Sequence, residues 1–227
     1  MADLIQWPDT ARVGQTIAKE RLYAETSAGA ALKKRFIDEV QRVRWAYKLG
    51  EESLRLAAGE TVTEVQVFVV DLKGSSLDKS VLAAIDGSIP SHIVFELRRG
   101  NGLWTEQAMT ATYNRSGRKA KGNDYYRTGW VGTDQPRLPL PAALDMDGLY
   151  SRLLSRLLPH PIRPGEQLPD ALERMGRIGG LTREIAALEK RLRVEPQLNR
   201  KFHVRRQLEA RTAVLKELTD PAPTSKG

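Results

Sequence analysis

Apolar residues along the chain follow two kinds of spacing. Over residues 28–49, Leu32, Phe36, Val40, Val43 and Tyr47 recur at steps of four, four, three and four. Lys33, Lys34, Arg35, Arg42 and Arg44 lie between them. This predicts an amphipathic helix over 28–49 with Gly50 as its stop, and a shorter helix is expected from Thr16 to Tyr23. The period changes at 61–73, where Val65, Val67 and Val69 alternate with Gln66, Phe68 and Val70. So many β-branched residues, apolar on both faces, predict a strand buried on both sides at its centre. Gly74-Ser75-Ser76 ends it. Leu77, Val81, Leu82 and Ile85 then mark a helix over 77–88, stopped by Gly87 and Pro90. Strands are expected at 91–98, 103–113 and 124–131, the first two joined at Gly100-Asn101-Gly102. This order predicts an α+β fold: an antiparallel sheet of about four strands with helices packed on it.

The last third reads differently. Pro136, Pro139 and Pro141 lead out of the sheet, and Met146, Leu149, Tyr150, Leu153, Leu154 and Leu157 mark a helix over 145–158. Ile178, Leu181, Ile185, Leu188 and Leu192 then step by three and four, the seam of a coiled coil. A second seam has Val204, Leu208, Leu215 and Leu218, with Arg211 in the position between Leu208 and Leu215. Pro196 separates the two and is excluded from a helix interior. The pattern predicts an antiparallel helical hairpin turning near Arg193 to Pro196. Short seams are marginal alone, so they must pack on each other and on something else. The expected division is an α+β domain over 1–145, a helical region over 146–220 and a disordered tail over 221–227.

Composition narrows the function classes. The 227 residues include 36 basic and 28 acidic side chains, 41% hydrophobic residues and no cysteine. Without cysteine, thiolate nucleophiles, redox motifs, iron–sulfur clusters and zinc fingers are excluded. No apolar run approaches the roughly 20 residues of a membrane span, and the N-terminal sequence lacks the pattern of a signal peptide. A soluble, cytoplasmic protein without membrane contact is expected. The charge is uneven: residues 1–150 carry 20 basic and 19 acidic side chains, residues 151–227 carry 16 and 9. A basic excess confined to one segment fits contact with nucleic acid or an acidic partner surface, and equally a solvated helical face. The 114–124 stretch holds Arg115, Arg118, Lys119 and Lys121 without an apolar anchor. It fits either a phosphate contact or a solvated turn.

Catalytic constellations are scarce. His92, His160 and His203 have no neighbour at metal-ligand spacing, and no phosphate loop, dinucleotide fingerprint or nucleophile elbow occurs. One arrangement resembles a magnesium-dependent nuclease of the restriction-endonuclease type, in which carboxylates hold the metal and a lysine steadies the attacked phosphate. Its candidates are Glu64, Asp71 and Lys73. Gln66 stands where such a motif beginning at Glu64 would place Lys, and the competing account makes these residues the polar face and end of a strand.

Several segments are similar to a bacterial family known as domain of unknown function 4391. They are Phe36-Ile37, Val43-Arg44-Trp45-Ala46-Tyr47-Lys48-Leu49, Val62 to Phe68, Val81 to Asp86, Ile89 to Leu97, Thr128-Gly129-Trp130, Leu138 to Pro141 and Leu149-Tyr150. Near the C-terminus, Glu195-Pro196-Gln197-Leu198-Asn199-Arg200-Lys201 resembles the family's turn, with Pro196 in place of Lys and Leu198 in place of Phe. The similarity spans about residues 35–218. It implies a setting beside helicases and DNA methyltransferases in restriction-modification and phage-defence clusters. The expectation is therefore a non-catalytic accessory subunit without cofactor. It would dock on a helicase or methyltransferase through Ile185, Leu188, Leu192, Leu208 and Leu215. It would meet DNA phosphate through Arg200, Lys201, Arg205 and Arg206 and the loop residues Arg115, Arg118, Lys119 and Lys121. The seams suit a homodimer as well as docking on another subunit.

Overall fold

The computed structural model describes residues 4–25, 29–100, 105–112 and 125–220. In chain order, β1 (Ile5–Gln6) and β2 (Arg12–Ile17) precede α1 (Lys19–Glu25), α2 (Ala30–Glu39), β3 (Val40–Leu49) and α3 (Glu51–Leu54). Then come β4 (Val65–Leu72), α4 (Lys79–Ser88), β5 (His92–Gly100), β6 (Thr105–Thr112), β7 (Tyr125–Arg127), β8 (Val131–Gly132) and β9 (Leu138–Pro139). The last helices are α5 (Met146–Ser155), α6 (Leu168–Val194) and α7 (Leu198–Thr219). The chain forms two compact units, residues 1–158 and 159–227.

The first unit is a mixed α+β structure with a seven-stranded sheet, in the order β2-β3-β4-β5-β6-β7, with β8 also paired to β6. It has more strands than the expected four. One pair is parallel, β4 with β5; the other pairs of this sheet are antiparallel. The helix predicted over 77–88 is the crossover a parallel pair requires, since a tight turn cannot return a chain in the same direction. Asp78 caps α4 by accepting from the Ser80 amide at 2.8 Å. The expected strand over 124–131 is two short strands, β7 and β8. The helix expected from Thr16 to Tyr23 begins later, at Lys19, because Thr16 and Ile17 complete β2.

The largest departure from the sequence pattern is at 28–49, where a helix gives way to a strand at Val40. Val40 pairs with Leu72 and Val43 with Val70, with a register shift between them and another between Trp45 and Tyr47. Each bulge inserts an extra residue and breaks strict alternation. Val40 and Val43 thus reach the same sheet face although three positions apart, and both join the core cluster. A twice-bulged strand of β-branched and aromatic residues imitates helical spacing.

One face of the sheet is covered by α1, α2 and α4. It buries Phe68, Val70, Leu72, Phe95 and Leu97 with Phe36, Val81 and Ile85. On the opposite face, Trp7 packs on Tyr47 and His92 meets the Tyr150 ring edge-on at 4.8 Å between centroids. The Tyr150 hydroxyl donates to the Thr112 carbonyl, which brings α5 to β6. Asp147, at the start of α5, accepts from the backbone amides of Glu60, Thr61 and Val62. Gly59 permits this approach: a Cβ there would lie 2.4 Å from the Asp147 carboxyl carbon.

The second unit is the predicted helical hairpin, with Glu195, Pro196 and Gln197 between α6 and α7.

Candidate docking interface

The open end of the hairpin, where α6 begins and α7 finishes, is built on two arginines. Arg174 is buried and grips Glu166 through Nε and Nη2, each at 2.7 Å. Its Nη2 also donates to the Pro161 carbonyl and its Nη1 to that of Leu218. Arg163 donates to the carbonyls of Glu217, Leu218 and Asp220, at 2.7, 3.1 and 2.8 Å. A helix leaves its last carbonyls without intrahelical partners and carries partial negative charge there, so cations fit both needs. The Arg174 hydrogen bonds hold the Glu166 carboxyl far below its ordinary range, at about 2, against the opposing effect of burial.

Along the hairpin the apolar positions are used internally. Ile185, Leu188, Leu192, Leu208 and Leu215 are half-buried, and Val204 is fully buried. Arg211 fills its gap in the second seam by pairing with Glu184 across the helices at 3.0 Å.

The closed end is different. Residues 190–206 contain Lys190, Arg191, Arg193, Arg200, Lys201, Arg205 and Arg206 against one acid, Glu195. Among the described residues none of the seven forms an ion pair or a side-chain hydrogen bond. Beside them stand three exposed apolar side chains: Val194 at 73% exposure, Leu198 at 67% and Phe202 at 54%. Leu198 and Phe202 are four apart on α7 and share a face, and Arg205 and Arg206 continue it at three and four residues beyond Phe202. Hydrophobic spacing assigns no role to these three residues. Their signal is that Leu198 and Phe202 are apolar yet fall outside the seam that starts at Val204.

Of the expected phosphate contacts, Arg200, Lys201, Arg205 and Arg206 therefore cluster on the first three turns of α7. Arg115, Arg118, Lys119 and Lys121 lie outside the described residues, as does the tail over 221–227. The nuclease candidates do not converge. Glu64 and Asp71 flank opposite ends of β4, on the order of 20 Å apart along an extended strand. Glu64 accepts from Ser91 Oγ at 2.6 Å and Gln66 Nε2 at 2.7 Å, and pairs with Lys48 at 2.9 Å. Burial opposes its ionisation, but these partners outweigh it and hold the carboxyl below its ordinary value. Asp71 pairs with Arg42, and Lys73 donates to the Ile37 carbonyl. Glu64 also borders a cleft of about 370 Å³ with Trp45, Gln66 and Ser91. Among the described residues, no group of three or more His, Asp or Glu could hold a metal ion, and no helix is long and apolar enough to cross a membrane.

The model of the family described as "Domain of unknown function (DUF4391)" matches residues 5–214, both the sheet and most of the hairpin. The chain belongs to this family. No curated protein and no solved structure matches it. The family match ends within α7, beyond every exposed residue of the closed end.

Proposed function

We propose that the chain is a non-catalytic accessory subunit of a DNA-targeting defence complex, and that the closed end of its hairpin is its working surface. The observation that carries this reading is the set of seven basic side chains over 190–206 without internal ion partners. In such a patch like charges repel one another, at a cost that an external polyanion relieves. Arg200, Lys201, Arg205 and Arg206 meet DNA phosphate. Val194, Leu198 and Phe202 dock on the protein partner, for which family membership leads us to expect a helicase or a DNA methyltransferase. Exposed apolar residues grouped at one place are the usual mark of a protein contact. In this reading the seam residues act indirectly, by holding the hairpin rigid and presenting its end.

The test is co-purification of the tagged full-length chain with a helicase or a DNA methyltransferase of its native host, repeated with Leu198→Ser/Phe202→Ser. The proposal expects one of these proteins to be retained by the parent chain and lost by the double variant. Retention of neither by the parent chain, or equal retention by both, contradicts it.

A further inference from the structure

The sheet carries a second group of arginines, unrelated to the hairpin. Arg42 on β3 is opposite Asp71 on β4, Asp71 is opposite Arg98 on β5, and Arg98 is opposite Gln107 on β6. In the neighbouring row, Arg44 and Glu96 both stand opposite Val69. Register partners share a face and alternate positions repeat it. All of these side chains therefore project from the face opposite the large core cluster, beside the carboxyl ends of the parallel strands β4 and β5. Ligands of open sheets with parallel strands collect at such ends.

The polar accounts of this group do not balance. Arg137 reaches into it from outside the seven-stranded sheet, beside β9. Asp71 is satisfied by Arg42 at 2.8 Å. The buried Glu96 accepts from Trp7 Nε1 and from both Nη atoms of Arg137, which also donates to Ile5 and Gln107. Among the described residues, Arg44 and Arg98 make no hydrogen bond through their guanidinium groups. Arg44 lies 3.6 Å from Asp71, and Arg98 lies 3.8 Å from Glu96, beyond hydrogen-bond range. The Nε of each is buried without an acceptor. Their side chains remain 29% and 32% exposed, so neither is sealed from solvent. Four guanidinium groups share two carboxylates, which leaves the group with an excess of two positive charges. Burial pushes Arg98 below its ordinary value; Glu96 opposes that and Arg44 adds to it.

We infer that Arg44 and Arg98 form a phosphate-binding site on the sheet face opposite the core cluster, near the carboxyl ends of β4 and β5, flanking β4 from either side. Their backbones stand two strand spacings apart and two residues out of step along the strands, on the order of 12 Å, so two long side chains can converge on one anion above Asp71. The ligand class is a phosphate group, because two arginine forks supply the donors, and the charge, that a tetrahedral oxyanion accepts. Asp71 holds Arg42 and orients Arg44, while Glu96 keeps Arg137 out of the site. The inference is independent of the docking role of the hairpin.

The test is a titration of the full-length chain with inorganic phosphate at constant ionic strength, following the arginine Nε–H resonances by NMR. Single substitutions Arg44→Gln, Arg98→Gln and Arg98→Lys assign the resonances and probe the site. The inference expects the Arg44 and Arg98 signals to move along one saturable curve. It expects Arg98→Gln to weaken binding about tenfold or more, and Arg98→Lys to fall between. Shifts that never saturate, or that match those of Arg205 and Arg206, overturn it, and so does unchanged affinity in Arg98→Gln. If a variant fails to fold, the parent curve still decides. A parallel arm with short duplex DNA identifies the source. The same saturable shifts at lower concentration assign the phosphate to a nucleic-acid backbone; shifts with inorganic phosphate alone assign it to a small molecule.

Discussion

The two ends of the hairpin use the same residue type in opposite ways. At the open end, Arg174 is buried and every donor group is occupied by Glu166 or by a carbonyl near a helix terminus, and Arg163 fastens the last turn of α7. At the closed end, Arg191, Arg193, Arg200, Arg205 and Arg206 point into solvent beside exposed Val194, Leu198 and Phe202. A buried guanidinium must be satisfied from within or the fold loses several kcal/mol. An exposed one contributes little to stability and stays available to an outside partner. In the proposed reading stability and recognition lie at opposite ends of one element, and substitutions at the two ends should separate them.

The largest expected effect is at the open end. Arg174→Met removes the partner of a largely buried carboxylate and two carbonyl contacts, and should lower the stability of the helical unit by about 3–5 kcal/mol. Urea unfolding followed by far-UV circular dichroism measures it; a loss under about 1 kcal/mol would refute the structural role given to this arginine. Acid should act on the same clasp. Glu166 titrates at about 2 in the folded chain against an ordinary 4.5. As the pH falls through 4.5 the unfolded chain takes up the proton first, so folding loses stability progressively down to 2, by about 3 kcal/mol in all, and keeps it in full above 4.5. Unfolding free energies across that window should show this slope in the parent chain and a flatter one in Arg174→Met. The smallest effect on stability is expected at the closed end. Leu198→Ser/Phe202→Ser should change it by no more than about 0.5 kcal/mol, because neither side chain is packed, and a thermal melt checks this. A clear destabilisation would place these residues in the hairpin's own packing and remove the contrast between its ends.

How much of this was legible in the sequence depended on whether the decisive partner was local. The strand around Val65 to Val70, the helix α4 with its Asp78 cap, the helix α5 and the hairpin turn at Pro196 are all written in short-range spacing. The strand β3 was not, because its first bulge sets Val40 and Val43 three apart on one face, a spacing that only pairing with β4 explains. That β4 and β5 run parallel follows from the α4 crossover, but a list of strands does not state direction. The charged features divide in the same way. The basic excess of the last third was visible as composition. The burial of Arg174 is set by contacts with residues such as Glu166 and Leu218, up to 44 positions away. Phe202 was hidden for the opposite reason: an apolar residue reads as core until its neighbours are known to face elsewhere.

The most direct test of the closed end as a recognition surface is DNA affinity as a function of salt, for the parent chain and for Arg205→Glu/Arg206→Glu. Both charges lie free of ion pairs, so the reversal should leave folding intact. We expect the variant to bind duplex DNA about tenfold or more weakly at low salt, and its plot of log affinity against log salt to be shallower by about two phosphate contacts. An unchanged affinity and slope in a folded variant would contradict the account.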